Sequence, residues 1–308
     1  MSDSTGRILV VGSLNMDLVV SVQRHPEPGD TVLGGDLQTF PGGKGANQAA
    51  AAAQAGGDTA MLGLVGSDTY GSTLLESLAK AGVDAKAIEQ TSGPSGVALI
   101  AVDERGENTI IVSPGANGKL TPEHLSGVSL ESLFSGVALV LMQLEVPLES
   151  VQRVAAEARK RDVPVMLNAA PIQDLPDDLL ANLSYLVLNE GEAAFLSDID
   201  VSDEASAREA ARVLRARGID AVIVTLGAQG VVWSGDDEAH LSAHQVEVAD
   251  TTAAGDAFCG ALAARLANAY TLQDALRFAN AAGALAASKE GAQPSLPSAR
   301  EVEKLMET

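Results

Sequence analysis

The sequence has little basic charge and a single cysteine. Twenty Lys and Arg residues stand against 41 Asp and Glu residues, which gives a formal net charge of −21. This charge argues against a nucleic-acid or anionic-membrane partner, because both require a basic face. It leaves room for an anionic cofactor, since local N–H groups and a metal ion can bind phosphate on an acidic protein. The one cysteine, Cys259, excludes an intrachain disulfide framework and favours a reducing compartment.

Long apolar runs and several common motifs are also absent. The apolar run Val137–Leu144 has the length of a strand and is too short to cross a membrane. The residues before Ile8 form no apolar signal core. There is no Walker loop, no G-x-G-x-x-G after the first strand and no Cys/His cluster, which argues against a P-loop, a dinucleotide-binding fold of that kind and a zinc site. We therefore expect a soluble cytoplasmic protein.

Strand and helix patterns alternate in the second half of the chain. Strands are predicted at 137–142, 163–167, 185–188 and 221–225, with helices at 148–161 and 203–217. This spacing predicts one α/β domain over residues 1–308, with a mostly parallel sheet flanked by helices. Two β-rich stretches, at about 14–40 and 96–113, do not fit and predict a small antiparallel sheet that serves as a lid or dimer surface. Within the first stretch, a strand is predicted at Thr31–Thr39.

The stretch Asp250–Phe258 has the pattern of a loop that turns into a helix. Small residues lead to Asp256, and Ala-rich sequence continues to Ala267. A helix N-terminus offers unpaired N–H groups and a positive dipole end, and Gly255 lets a phosphate approach the backbone. Asp256 beside such a site suits transfer of a phosphoryl group to a hydroxyl. From this loop alone, a carboxylate that merely caps the helix is an equally good interpretation.

Five polar clusters follow predicted strands or open a predicted helix. They are Asn15-Met16-Asp17, Gly42–Asn47, Gln143-Leu144-Glu145, Asn189–Glu192 and Thr225-Leu226-Gly227. Any one of them could be an ordinary turn. In α/β sheets, however, ligands bind beyond the carboxyl ends of the strands. Five clusters together with the Gly255-Asp256 helix start therefore favour one long cleft.

Three motifs are specific in combination. They are Gly42-Gly43-Lys44-Gly45-Ala46-Asn47-Gln48-Ala49, Asn189-x-x-Glu192 and Asp250-Thr251-Thr252-Ala253-Ala254-Gly255-Asp256-Ala257-Phe258. Together they resemble the signatures of the ribokinase-like carbohydrate kinases, and the resemblance extends from Ile8 to about Ser295. It implies an ATP-dependent sugar kinase that uses Mg²⁺, is activated by K⁺ and forms a homodimer through the lid sheet.

The resemblance also implies roles for individual residues at the sugar. Asp256 would be the base that takes the proton of the primary hydroxyl. The anion hole for the γ-phosphate would comprise Ala253, Ala254, Gly255 and the amide of Asp256. The implied sugar-binding residues are Asn15, Met16, Asp17, Gly43, Lys44, Gly45, Ala46, Asn47 and Glu145.

At the nucleotide and the ions, the implied residues come from the second half of the chain. Those for ATP are Asn189, Thr225, Leu226, Gly227, Ala228, Gln229, Gly230, Gly255 and Asn280. Those for K⁺ are Asp250, Thr252, Ala286, Lys289, Gly291 and Ser295. Glu192 would help to order Mg²⁺ and its waters. Asn280 departs from the family, in which His is common at this position, and this puts the adenine contact in doubt.

Three functions remain open at this point. The first is an ATP-dependent ribose kinase. The second is a kinase of the same family for 2-deoxyribose, fructose, a nucleoside or a keto-deoxy sugar acid, and the third is a non-catalytic sugar-binding protein. The sugar-side clusters offer only Lys44 as a cation, which favours a neutral sugar over a sugar phosphate. No residue distinguishes ribose from deoxyribose.

Overall fold

The computed structural model describes residues 6–307; residue 308 and residues 1–5, on which part of the signal-core prediction rests, lie outside them. The strands are β1 (Arg7–Val11), β2 (Asn15–Ser21), β3 (Gln38–Gly42), β4 (Asp58–Gly66), β5 (Asp84–Thr91), β6 (Gly96–Val102), β7 (Asn108–Ser113), β8 (Val137–Met142), β9 (Val165–Asn168), β10 (Tyr185–Asn189), β11 (Ala221–Thr225), β12 (Val231–Ser234) and β13 (Glu238–Leu241). The helices are α1 (Lys44–Gln54), α2 (Thr69–Ala81), α3 (Pro122–Ser126), α4 (Leu130–Leu133), α5 (Leu148–Arg159), α6 (Asp177–Leu180), α7 (Glu190–Ser197), α8 (Glu204–Arg215), α9 (Ala254–Ala267), α10 (Leu272–Ala287) and α11 (Ala299–Met306).

Nine of the described strands form one sheet, in the order β13-β12-β11-β10-β9-β8-β1-β4-β5. The strands from β11 to β5 are parallel, and only β12 and β13 pair antiparallel. The predicted fold class, a mostly parallel sheet flanked by helices with a small antiparallel lid sheet, is confirmed, except that one of the three pairings in the small sheet is parallel.

Both faces of the main sheet are covered because its central strands are apolar on both sides. In β1, Leu9 and Val11 pack into a buried cluster with residues of α5, α7 and α8. The alternate residues Ile8 and Val10 pack into another cluster with α1, α9 and α10. This period of two explains why buried strands appear in the sequence as continuous apolar runs. No helix within residues 6–307 has the length and apolar character needed to cross a membrane.

The lid sheet follows directly from two strands of the main sheet. Its order is β3-β2-β6-β7; both outer pairings are antiparallel, and the central pair β2–β6 is parallel. The parallel pair has a topological cause. β2 continues the chain after β1, and β6 continues it after β5, so both leave the same edge of a parallel sheet in the same direction.

Two sequence expectations differ from the structure. The strand predicted at Thr31–Thr39 begins only at Gln38, and the segment before it contributes a single bridge, Val22 to Gly34. Gly34-Gly35-Asp36 has low β-propensity and is exposed, so nothing holds it in a ladder. β5 had no sequence prediction. It is an edge strand with only one buried residue, Ile88, and therefore lacks the apolar run that marks the central strands.

Candidate active site

The site lies along the carboxyl edge of the parallel strands. β1, β8, β9, β10 and β11 are neighbours in the sheet. The residues at or just after their carboxyl ends are Asn15, Glu145, Asn168, Asn189 and Thr225, which therefore share one edge. Asn168 was not among the predicted site residues. This edge is where α/β sheets bind ligands.

The N-terminus of α9 is open. Its first residue, Ala254, follows Ala253, which has a left-handed backbone with φ of 58°, and no side chain of the described residues caps the helix. The Ala254 N–H bonds to the Thr251 carbonyl at 3.2 Å, and the first helical bond joins the Ala257 N–H to the Ala253 carbonyl at 2.8 Å. The N–H groups of Gly255 and Asp256 have no partner within residues 6–307. A Cβ placed on Gly255 would meet nothing within 4 Å, so these donors border free space suited to an anion.

The N-terminus of α1 is occupied by contrast. The Lys44 N–H bonds to the Glu145 carboxylate at 3.0 Å, the Gly45 N–H to Ser13 Oγ at 3.2 Å and the Ala46 N–H to the Ser13 carbonyl at 2.9 Å. Glu145 also accepts from Ser13 Oγ at 2.6 Å and from Asn15 Nδ2 at 3.2 Å. Of the α1 and α9 helix starts, only that of α9 is therefore free to take a phosphate.

Asp256 is buried and fixed by two amides of α1. Asn47 Nδ2 donates to its Oδ2 at 3.0 Å, and Gln48 Nε2 donates to its Oδ1 at 2.9 Å. The helices can approach this closely because of Gly260 in α9, where a Cβ would lie 2.5 Å from the Ala51 Cβ and 2.7 Å from the Gln48 carbonyl oxygen. A carboxylate thus stands in the first turn of the uncapped helix, beside the free N–H groups.

The sugar end of the site gathers negative charge around one lysine. Burial raises the pKa of Asp17 to about 7, and the charges of Glu145 and Asp256 add to this effect. Burial alone would lower the pKa of Lys44, but Asp256, Glu145 and Glu192 outweigh it and raise that pKa. Lys44 therefore stays cationic among these carboxylates.

The nucleotide end consists of a helix start and a tight loop. Asn189 and Glu192 form a capping box, with the Asn189 N–H bonded to Glu192 Oε2 and the Glu192 N–H to Asn189 Oδ1, each at 2.8 Å. Burial raises the pKa of Glu192, although the hydrogen bond from the Asn189 N–H and the charge of Lys44 act in the opposite direction. Capping alone can therefore account for the N-x-x-E spacing.

Residues 226–230 fold back on themselves after β11. The Leu226 N–H bonds to the Gly230 carbonyl at 2.8 Å, and Thr225 Oγ1 bonds to the Leu188 carbonyl at 3.2 Å. A Cβ on Gly227 would meet nothing within 4 Å, which leaves one side of the loop open. Asn280 Nδ2 donates to the Ser242 carbonyl at 2.8 Å, so this amide ties α10 to the segment after β13.

Asp250 joins the loop before α9 to the segment after α10. Its Oδ1 accepts from the Thr252 N–H at 2.8 Å and from Thr252 Oγ1 at 2.6 Å, and its Oδ2 accepts from the Gly291 N–H at 2.9 Å. Burial would raise the pKa of Asp250, but these three donors lower it. The Lys289 N–H bonds to the Ala286 carbonyl at 3.1 Å. Within the described residues, no group of three or more His, Cys, Asp and Glu residues could hold a metal ion, so any cation here would depend on carbonyl oxygens.

Three residues named for the sugar have other surroundings. The side chains of Met16 and Ala46 are buried in the apolar cluster below the site. Gly45 lies against the turn after β1, where a Cβ would be 2.5 Å from the Ser13 nitrogen. They can shape the site only through the backbone or through close packing.

Several polar residues that the structure brings to the site were given no individual role from the sequence. They are Ser13, Gln48, Asn117, Gln143 and Asn168. Asn117 donates from Nδ2 to Asn15 Oδ1 at 2.7 Å and to the Leu14 carbonyl at 3.0 Å, and accepts the Leu14 N–H at 2.9 Å. A polar residue in an Ala-rich helix was a usable signal for Gln48, whereas Asn117 becomes a neighbour of Asn15 only in the fold.

Comparisons with known proteins agree with this geometry. Residues 5–299 match the family described as pfkB family carbohydrate kinase. The ribokinase of Bacillus subtilis is 41% identical over 301 residues, covering 97% of this chain and 99% of that protein. The ribokinase of Haemophilus influenzae is 39% identical over 305 residues, covering 97% and 98%. The structure of Arabidopsis thaliana ribokinase complexed with ribose and ATP has a TM-score of 0.92 at 32% identity and covers 99% of both chains.

Proposed function

Because the chain belongs to the pfkB family of carbohydrate kinases, we propose that it transfers the γ-phosphoryl group of ATP to the 5-hydroxyl of D-ribose. The relatives support both substrates, since they include ribokinases over nearly the full chain and a ribokinase complexed with ribose and ATP. One observation carries the proposal: the Asp256 carboxylate adjoins the Gly255 and Asp256 N–H groups at the start of α9, which have no partner in the part of the chain that the structure describes.

The sugar is held by carboxylates and amides that accept and donate hydroxyl hydrogen bonds. We assign this role to Asn15, Asp17, Lys44, Asn47 and Glu145; the hydrogen bonds of Glu145 with Asn15 and with the Lys44 N–H support the assignment. The ribose oxygen attacks the γ-phosphorus, its proton passes to Asp256, and the bond from that phosphorus to the β-phosphate oxygen breaks to release ADP. The N–H groups of Gly255 and Asp256 stabilise charge on the transferred group.

ATP lies along the nucleotide end, beside residues 225–230 and Asn189. Glu192 fits a role in ordering Mg²⁺, since this ion keeps several waters and needs few protein carboxylates. When bound, the ion neutralises phosphate charge. We assign K⁺ to Asp250 and to the backbone carbonyls of Thr252, Ala286, Lys289 and Gly291, because the hydrogen bond from the Gly291 N–H to Asp250 Oδ2 brings the loop before α9 next to the segment after α10. That ion would brace the loop that carries the free N–H groups.

A non-catalytic sugar-binding protein is a weaker alternative, because sugar binding alone has no use for an open helix start beside Asp256.

A cytoplasmic location also belongs to the proposal and agrees with the burial of the single thiol, Cys259.

A coupled ADP-release assay tests the reaction. We expect ribose to be turned over in preference to 2-deoxyribose, fructose and adenosine, faster with K⁺ than without it, and only with Mg²⁺ present. Phosphorus NMR of the product should place the phosphate on the 5-oxygen. If another acceptor is preferred, that acceptor and not ribose is the substrate. If no acceptor is turned over, the sugar-binding alternative is favoured.

We also propose that the chain forms a homodimer through the lid sheet. β7 is one of the two edge strands of that sheet, and all six of its residues are exposed. Ile110 and Ile111, which point to opposite faces, are 50% and 64% exposed. An apolar edge strand open on both faces is what a second copy of the lid would cover.

A further inference from the structure

A line of three side chains leads from β8 to the carboxylate of Asp256. Gln143 Nε2 donates to Gln48 Oε1 at 2.7 Å. Gln48 Nε2 in turn donates to Asp256 Oδ1 at 2.9 Å and to Asn168 Oδ1 at 3.0 Å. Gln48 and Gln143 are both completely buried. Residues from β9, α1, α9 and the position just after β8 therefore meet in one polar network inside the protein.

The direction of this line is fixed at its ends. A carboxylate such as Asp256 can only accept hydrogen bonds. Asn168 uses its Nδ2 to reach the Val187 carbonyl at 3.3 Å, so its Oδ1 must face Gln48. With two acceptors on one side, the nitrogen of Gln48 has to point toward them. Its oxygen then faces Gln143, which has to present its own nitrogen.

This orientation carries a cost at the far end. Gln143 Oε1 is buried and has no hydrogen-bond partner among the described residues. It lies against Gly12, where a Cβ would be 2.0 Å away. An unsatisfied buried acceptor costs on the order of 1–3 kcal/mol, which an apolar side chain at this position would avoid. Packing alone would therefore favour an apolar side chain at position 143, and the amide must have another role.

We propose that Gln48 is a positioning residue for the base, and that Gln143 keeps the Gln48 amide turned toward Asp256. The proposal rests on the phosphoryl transfer proposed above. Donors on both oxygens hold the plane of the Asp256 carboxylate in one orientation. The lone pairs that remain free can then accept the proton of the sugar hydroxyl. Gln48 itself touches neither substrate in this role.

The first test replaces the donor. Gln48→Leu should lower kcat by about tenfold to a hundredfold, since small misplacements of a reacting group have effects of this size, while the KM values for ribose and ATP change little. Gln54→Leu, on the same helix and outside the network, is the matched control and should keep the wild-type kcat. A Gln48→Leu enzyme with wild-type kcat would overturn the proposal.

The second test reverses the direction of the line. In Gln143→Glu, an ionised carboxylate can only accept, so Gln48 must turn its nitrogen away from Asp256 and present its oxygen. A protonated Glu at 143 can donate to Gln48 Oε1 and restore the native orientation. The ratio of kcat in this variant to kcat in the wild type should therefore rise as the pH falls.

Other titrating groups are common to both enzymes, so the ratio removes their contribution. The titratable groups whose charges act on one another around Asp256 are Asp17, Lys44, Glu145, Glu192, Asp256 and Cys259. Gln143→Leu, which can neither accept nor donate, should give a ratio that does not vary with pH. A ratio for Gln143→Glu that is equally flat contradicts the role of Gln143.

The two proposals can fail separately. If the wild-type enzyme does not phosphorylate ribose or another sugar, the proposed function is wrong and the variants are not informative about catalysis. If it does, the behaviour of Gln48→Leu and the pH-dependent ratio decide the role of the line. Thermal unfolding of each variant shows whether a lower kcat comes from loss of folded protein. Such a loss would not make the ratio of kcat values rise as the pH falls.

Discussion

Four carboxylates of the site differ in what their surroundings supply. Asp256 receives two amide N–H groups, and Glu145 accepts from the start of α1. Glu192 completes a capping box. The Asp17 carboxylate has no hydrogen-bond partner among the described residues; burial raises its pKa to about 7, and the charges of Glu145 and Asp256 add to this effect. These differences in surroundings agree with the separate tasks proposed for the four carboxylates.

Asp17 should make sugar capture depend on pH. The ionised form accepts hydroxyl hydrogen bonds, and its pKa of about 7 in the free enzyme places the transition near neutrality. We expect kcat/KM for ribose to rise with pH through about 7 in the wild type, since this parameter reports groups of the free enzyme. Asp17→Asn should lower kcat/KM and lose this limb. The same limb in the variant would assign it to another group.

The same residue should affect stability. The pKa of Asp17 is raised from 3.8 to about 7 on folding, so the folded state binds more protons in that interval and its stability falls as the pH rises through it. At pH 8, the free energy of unfolding of Asp17→Asn, measured by chemical denaturation, should exceed that of the ligand-free wild type by roughly 2–4 kcal/mol. Below about pH 4 the difference should vanish. An equal difference at both ends would contradict the shift.

Removal of the base should act on the chemical step. If Asp256 is the base, as proposed, Asp256→Ala leaves the sugar hydroxyl without a proton acceptor, and we expect kcat to fall on the order of a thousandfold or more, with a modest change in KM. Steady-state kinetics with ribose and ATP measure both. A near-normal kcat would show that another group takes the proton.

At the scale of elements, the positions of helix and strand ends carry most of the site, and this is what the sequence could predict. Central strands appear as apolar runs because both of their faces are buried, so the polar residues that follow them mark the carboxyl edge. The contact between Gln48 and Asp256 could not be predicted, because it depends on the closeness of α1 and α9 at Gly260. Nor could the N-x-x-E spacing distinguish capping from nucleotide binding.

Gly260 should be critical for that closeness. In Gly260→Ala, the new Cβ would lie 2.5 to 2.7 Å from atoms of Ala51, Ala52 and Gln48, so the helices must separate. We expect a net loss of roughly 1–3 kcal/mol of stability, beyond the helix propensity that Ala gains. kcat should fall as well, because Asn47 and Gln48 move away from Asp256.

Chemical denaturation and steady-state kinetics test this pair of effects. The helical control for stability is Gly283→Ala in α10, where the nearest atom to a new Cβ is 3.3 Å away. It should lose much less stability than Gly260→Ala. Equal losses in the two variants would mean that helix spacing at Gly260 is not the cause.

At the scale of the whole molecule, the chain carries a net charge of −21 and yet leaves apolar side chains open on the lid. Leu99 and Ile111 are direct cross-strand neighbours in β6 and β7, and they are 47% and 64% exposed. Asp17 lies in β2, which is separated from the outer strand β7 only by β6. A contact that covers β7 should therefore also hold β2 in place. Assembly and sugar binding should therefore be linked.

The charge variant Ile111→Asp tests that link. A carboxylate on the apolar edge strand should be disfavoured in a lid-to-lid contact, and the mass measured by sedimentation equilibrium should shift from dimer toward monomer. The KM for ribose should rise with this shift, since an uncovered lid holds Asp17 less firmly. Val213→Asp is the matched control: Val213 is 43% exposed on α8, away from the lid, and its replacement should leave both mass and KM unchanged. A monomeric wild type would exclude the proposed dimer, whereas a monomeric variant with unchanged KM would separate assembly from sugar binding.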